Sequence, residues 1–599
     1  MTQKLPYRYK RVTVIELDKQ SFQREGSSRA RTSRGRGVMQ ESNYWQRLGR
    51  KKLSRRSVLA AGATAAAGLA AGAIVGCGGG GTGAGNGPRR TPGPPRSPVA
   101  GGSITQGRLV GALGIDPHVD LTALDIDFRI YSYMYSWRPN AEEVILNNLA
   151  LEMETPDPLT MLFKLRPGVR IHPGGDWDED ELVSTDYKRS FDRRGQAVSA
   201  PDKRFYKRIV RMETPDKYTF NVYLSRPFAP AIRELANPTW AIIAEKVIEE
   251  HPQLSQKAFG TGPFMLEEMR GSERIVIKKF PNYFLNPPRP YLDGITYIII
   301  PDNSSARTAF ESGQHDVNGA FLQKPDAEDL MRSGNYTVMK APWLFYPVIH
   351  LKVHPTRPFH DIRVREAIDL ALDRDQFMLL NQDGEGNYNG PIQWAQTKWA
   401  LPQEELRAFY KYDPERAKQL LTQAGYPNGF SVKMKIPKLV GPTFIADGAF
   451  IVKDQLAKVG IDVEVLEVEL GTFIGNTIIP GNFDMAFFPN LPYDEPDRPL
   501  AFYHSLGVTG SGNWTNYTNP ELDKLIDAQA EEFDEEKRKQ IILDAQRMIL
   551  KEHGPQLTLT GGYFYSARWW YVHYPWEIGQ DPPKDVGPEG TDIWTEENA

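Results

Sequence analysis

Cys77 is the only thiol in the chain. One thiol makes no internal disulfide, no CxxC redox pair and no four-cysteine zinc site. His350, His354 and His360 lie close together and are of metal-ligating type. Pro355 and Pro358 break any single helix that would stack two of them one turn apart, so no metal site is expected. The strings H-E-x-x-H and G-x-S-x-G are absent, which removes the commonest signatures of zinc and serine hydrolases. Gly78–Gly83 spells G-x-G-x-x-G, but no strand pattern precedes it and no helix pattern follows, so no nucleotide and no other cofactor is expected. What remains is chemistry of capture: phenols, indoles and amides that grip without reacting. Asn490, Tyr493 and Asp494 stand at the start of a loop that runs to Pro496, after a strand-like Phe483–Phe488. Tyr131, Tyr133 and Tyr135 alternate as on one strand face. Trp240 precedes the apolar run Ala241–Ala244. Asn513 and Trp514 sit between a Gly-rich loop and a helix pattern.

These residues need a large scaffold. The chain has 599 residues, 40% hydrophobic and 25% charged, the composition of a globular protein with more than one lobe. Strand patterns fall at Met161–Leu165, Tyr218–Leu224, Arg274–Lys279, Ile295–Ile300, Phe345–Leu351, Ser431–Ile436 and Asp462–Val468. Helix patterns fall at Val364–Asp373, Pro414–Ala424, Phe444–Lys458, Asn519–Phe533 and Glu535–Glu552. Asp413-Pro414 and Asn519-Pro520 each place a capping side chain before proline at the first helical position. The mixture is α/β.

The charge is uneven. Residues 1–76 carry 16 Lys+Arg against 4 Asp+Glu, a balance of +12, which leaves -15 for the rest of a chain of net -3. An acidic body excludes nucleic acid as the partner. The basic head, 1–53, reads as a disordered extension of a targeting signal. Ser54-Arg55-Arg56 opens an uncharged Ala/Gly-rich run from Ser57 to Cys77, and residues 54–76 together resemble a twin-arginine export signal. Ile74-Val75-Gly76-Cys77 resembles the lipobox of bacterial lipoproteins, which implies a lipid on Cys77 and a membrane-anchored, extracytoplasmic protein. Residues 77–102 are a Gly/Pro-rich tether.

Further along, short strings follow in a fixed order. They are Phe163-Lys164-Leu165-Arg166-Pro167-Gly168-Val169, His172-Pro173-Gly174, Gly260-Thr261-Gly262-Pro263-Phe264 and Pro281-Asn282-Tyr283-Phe284. After them come Pro358-Phe359-His360-Asp361-Ile362-Arg363, Asp413-Pro414-Glu415-Arg416-Ala417 and Asn519-Pro520-Glu521-Leu522. The series resembles the extracellular solute-binding protein family 5, the oligopeptide, dipeptide and nickel-binding group. The resemblance implies a two-lobe, periplasmic-binding-protein-like α/β fold with a central cleft. The first lobe would be discontinuous, 103–145 with 256–344 and 557–599, and 146–255 would be its extra subdomain. The second lobe would span 345–556. Phe345 and Tyr346 then fall where the chain crosses between lobes and join the candidate solute contacts.

The implied function is capture of an oligopeptide or similar small polar solute, by hinge closure, for the permease subunits of an ABC-type importer. Peptide-binding relatives place an acid shortly before the residue matching Pro496, to pair with a peptide amine. Here Pro492 stands at that place and Asp494 two residues later, which leaves the solute open. A secreted hydrolase with a carboxylate pair, or a ligand sensor that does not transport, stay as alternatives.

Overall fold

The computed structural model describes residues 98–120, 122–137, 144–145, 148–175, 177–197, 203–254, 256–285, 289–343, 345–439, 444–490, 495–509, 512–574 and 591–596. Along the chain the strands that matter are β1 (Ser103–Arg108), β2 (Ala150–Asp157), β3 (Thr160–Leu165), β4 (Ile209–Asp216), β5 (Thr219–Leu224), β6 (Phe264–Arg270), β7 (Arg274–Lys279) and β8 (Gly294–Ile299). They are followed by β9 (Tyr336–Pro342), β10 (Pro347–Leu351), β11 (Phe430–Lys438), β12 (Ile461–Glu469), β13 (Met485–Pro489), β14 (Gln556–Thr558) and β15 (Tyr563–Trp569). The helices that matter here are α1 (Ser184–Gln196), α2 (Arg204–Arg208), α3 (Ala231–Glu234), α4 (Ile362–Ala371), α5 (Pro414–Gln423), α6 (Phe444–Ala457), α7 (Asp497–Ala501), α8 (Pro520–Glu531) and α9 (Glu535–Lys551).

Two sheets build the first lobe. One has the order β1-β8-β7-β6, with β1 parallel to β8 and the rest antiparallel. The other is antiparallel, β2-β3-β5-β4. In β3 and β5 every second residue is buried: Met161, Phe163 and Leu165, then Phe220, Val222 and Leu224. Period-two burial is what a sheet with one packed face requires. These side chains share a continuous core with Ile275, Ile277, Ile295 and Tyr297 of the first sheet, so the second sheet is welded to the first by apolar packing.

The second lobe holds the five-stranded sheet β12-β11-β13-β10-β14. β11 runs parallel to both β12 and β13, while β10 is antiparallel to β13 and β14. α6 joins β11 to β12 as a crossover helix. Side chains cap the helix starts: Asp361 accepts from the Arg363 amide, Asp413 from Arg416, and Asn519 from Glu521 and Leu522. Each satisfies donors that the first turn leaves open.

The chain passes between the lobes twice, side by side. β9 pairs antiparallel with β15, and directly beyond them β10 pairs with β14. The Trp343 amide donates to the Gly562 carbonyl at 2.9 Å, and the Leu559 amide donates to the Pro347 carbonyl at 3.3 Å.

Two of the sequence strings meet in the first lobe. The His172 ring bonds the Gly262 carbonyl at 2.9 Å and accepts from the Gly260 amide at 3.2 Å. The Gly262 amide donates to the Ile130 carbonyl at 2.8 Å. A Cβ on Gly260 would stand 2.0 Å from that same carbonyl oxygen, so backbone meets backbone there and only glycine fits. Gly260→Ala is expected to lower the unfolding free energy by about 1–3 kcal/mol, the usual range for overpacking, as read from a denaturant titration of the purified chain.

Candidate functional site

Tyr346 and Asn490 come together where β10 begins and β13 ends. The Asn490 amide donates to the Tyr346 carbonyl at 3.1 Å, and its side-chain Nδ2 donates to the Tyr346 hydroxyl at 3.1 Å. That hydroxyl donates in turn to the Pro391 carbonyl at 3.4 Å. Burial pushes the Tyr346 phenol up to about 12, so it stays a neutral donor. Asn490 Oδ1 is buried without a partner among the described residues, an acceptor that a bound group could use. Phe345, the preceding residue, is 39% exposed.

Trp514, in a turn, packs against β13, its ring 5.7 Å from Phe488 and 5.0 Å from Phe502. Asn513 is an organiser of its loop. Its Nδ2 donates to the carbonyls of Tyr517, at 2.7 Å, and His504, at 3.2 Å, while its Oδ1 accepts from the Thr515 hydroxyl at 2.9 Å. Its side chain is therefore engaged within the loop. Tyr493 and Asp494 lie outside the described residues, as do Cys77 and the leader.

The tyrosine segment differs from the expected strand. Residues 130–136 are all buried, and their ladder contacts among the described residues are short: one bridge from Ser132 to Ile242 and the pairing of Ser136 with Ile145. The segment is wedged between residue 242 on one side and Gly260–Gly262 on the other, so both of its faces are covered and no alternation survives. Tyr131 donates to the Ile115 carbonyl at 2.9 Å. Tyr133 and Tyr135 line a small cavity with Ser132, Asn148 and Tyr283. The cavity leaves about 20 Å³ for the centre of a water molecule, room for about one water and too little for a solute. Trp240 is enclosed by Phe191 and Phe205, each 5.2 Å away, with the Arg194 guanidinium over its face. Its surroundings are those of a packing residue in the first lobe.

The three histidines do not converge. His350 is buried and stacked 4.0 Å from Phe488, whereas His354 and His360 are exposed. Among the described residues no group of three or more His, Cys, Asp or Glu is placed to hold a metal, and no helix is long and apolar enough to cross a membrane.

What single-sequence reasoning missed is the ionic junction between the lobes. Arg498 of α7 makes a two-pronged pair with Glu234 of α3, at 2.8 and 2.7 Å, and both are almost fully buried. Arg204 of α2 pairs with Asp497, and also donates to its carbonyl at 3.0 Å. Arg233 approaches Glu495 at 3.7 Å, and Arg538 holds the other oxygen of that carboxylate. Gln529 donates to Asp497 at 2.5 Å. Toward the surface Arg226 meets Asp527 at 3.2 Å and Glu531 at 2.5 Å. The Ala229 amide donates to the Ala530 carbonyl at 2.8 Å, and Ala530 packs into the first lobe's core. The partners in these cross-lobe pairs are more than 250 positions apart, so no local pattern announces them.

Two lobes, joined by two adjacent chain crossings and meeting across a polar interface, define the architecture of a two-lobe binding protein. Solved structures share it. DppA from Helicobacter pylori in complex with the peptide STSA matches with a TM-score of 0.72 at 24% identity, over 83% of this chain and 99% of that one. MoaA from A. tumefaciens R10, in complex with mannopinic acid, matches with a TM-score of 0.72 at 22% identity, over 83% and 100%. At those identities the likeness defines the fold alone. The chain belongs to the bacterial extracellular solute-binding proteins, family 5, which match residues 145–513. Among its relatives is the glutathione-binding protein GsiB of Escherichia coli O1:K1, 29% identical over 338 residues, 55% of this chain. The match spans 62% of that relative's length.

Three buried histidines give this scaffold an acid-sensitive stability. Burial holds His118 and His350 near 3 and His172 near 4, against an ordinary 6.5. The unfolded chain therefore binds protons that the folded chain refuses below about pH 6.5, and stability falls as pH drops from there toward 4. Denaturant titrations between pH 7 and 4 are expected to show that decline, with a shallower slope in His350→Asn.

Proposed function

We propose that this protein captures a small polar solute, a peptide or a similar molecule, outside the cell and delivers it unchanged to the permease subunits of an ABC-type importer. The observation that carries the reading is the two-lobe scaffold, with two adjacent crossings, in a chain of the solute-binding family. Such a scaffold closes by a hinge and excludes water from whatever lies between its parts. The names of its relatives, glutathione-binding and peptide-complexed, support a peptide-like solute. Asn490 (bonded to Tyr346), Tyr493 and Asp494 are the residues proposed to touch it. Cys77 carries the lipid that keeps the protein at the membrane, after export directed by residues 54–76.

Native mass spectrometry of the purified chain, followed by calorimetry with whatever co-purifies, tests this. One solute per chain, released with its mass unchanged, is expected. Tyr493→Ala and Asp494→Ala are each expected to weaken binding about tenfold or more, the scale of one lost polar or aromatic contact. Conversion of the solute by the pure protein would refute the reading. Wild-type affinity in both variants would refute the site.

A further inference from the structure

The ends of the candidate loop are held by different lobes. Asn490, on its upstream side, is bonded to Tyr346 within the second lobe. Glu495, Asp497 and Arg498, on its downstream side, are bonded to Arg233, Arg204 and Glu234 of the first lobe. Resting on the solute-capture reading above, we infer that Glu234 and Arg498 are positioning residues: their pair draws the lobes together in the absence of solute and fixes the register in which they meet.

Three features support this. The pair is two-pronged and buried, the geometry in which guanidinium and carboxylate attract most strongly and in which loss of one partner leaves an uncompensated ion. The charges that face each other across the seam are segregated by lobe, Arg538 being a second-lobe cation that pairs with Glu495 on its own side. Arg204, Arg208, Arg226 and Arg233 lie on the first-lobe side, and Glu495, Asp497, Asp527 and Glu531 face them from the second. Opposed faces of this kind attract before they touch. Glu234–Arg498 runs the other way, with the acid on the first lobe. That reversal gives the closed arrangement a register, because sliding would bring Arg498 against Arg233 or Arg204 and Glu234 against Glu495 or Asp497. The carboxylates beside the loop are also engaged by protein arginines.

A preorganised closed state raises apparent affinity in proportion to its population. The pair acts on solute retention through closure, without touching the solute.

The test is made on solute-free protein, judged by its native mass spectrum. Spin labels at C77S/V210C/L379C place one probe on β4 and one in the second lobe, at side chains that are both 65% exposed. Electron–electron distance measurements are then taken at ~0.1 and ~1 M NaCl, between which the screening length falls from about 10 to about 3 Å. The expected result is one short distance at low salt. E234Q should lengthen and broaden it, and so should high salt. The charge-swapped pair E234R/R498E should restore at least part of the short population, which a merely structural defect would not do. A distance unchanged by both salt and E234Q overturns the proposal, as does a swap that behaves like the single variant. If E234Q fails to fold, the salt series on the labelled parent decides alone: an unmoved distance overturns it. Solute capture is judged separately, by the mass spectrum, so failure of one reading leaves the other standing.

Discussion

An ion withdrawn from water needs an opposite charge within reach, and the junction between the two lobes is organised around that requirement. Glu234, Glu495, Asp497, Arg498 and Arg538 are all nearly sealed from solvent. Each carboxylate meets a guanidinium, and the second oxygen of Asp497 takes the Gln529 side-chain amide. Well-packed apolar residues could join two lobes as strongly. They would not fix one mutual orientation, and they would leave greasy surfaces whenever the lobes part. Charges stay soluble in the parted state and are specific in the joined one.

Everything near the candidate site hangs from that junction and from the crossing strands. β13 delivers Asn490 to Tyr346, the first buried residue after the chain has entered the second lobe. A few residues later the chain reaches α7 and the first lobe's arginines. The aromatic set of His350, Phe488, Phe502 and Trp514 fills one face of the same sheet beside it. The site is thus supported by rigid strands at one end and a charged interface at the other, an arrangement suited to a part that must hold its shape until the lobes separate.

Much of the scaffold was legible in the sequence because its determinants are local. Asp413-Pro414 and Asn519-Pro520 start helices by satisfying their own first-turn amides. Arg274–Lys279 is a strand by simple alternation. Two of the ordered strings that pointed to the family meet in one backbone knot, where His172 bonds the Gly260–Gly262 segment and a Cβ on either glycine would collide with the Ile130 carbonyl. The tyrosine segment was misjudged for a physical reason: alternation predicts one open face, and here neighbours cover both. Trp240 illustrates the same limit, since an indole in a core and an indole in a cleft look alike in a sequence. Asn513 was singled out and proved to be tied to its own loop, through bonds to carbonyls that any residue type presents. The ionic junction escaped entirely, because partners hundreds of positions apart leave no periodicity to read.

The side-by-side crossings have one more consequence. Ile349 of β10 lies opposite Leu557 of β14, so the second lobe begins and ends one strand spacing apart. A segment whose two ends nearly touch is topologically an insert. It can be spliced into a host chain, or lifted out of one, without dragging the host's strands from their places. On that geometry the half that carries the candidate loop and the arginine-bearing half are separable modules, free to have acquired their surfaces independently and answerable to each other only along the seam where they face.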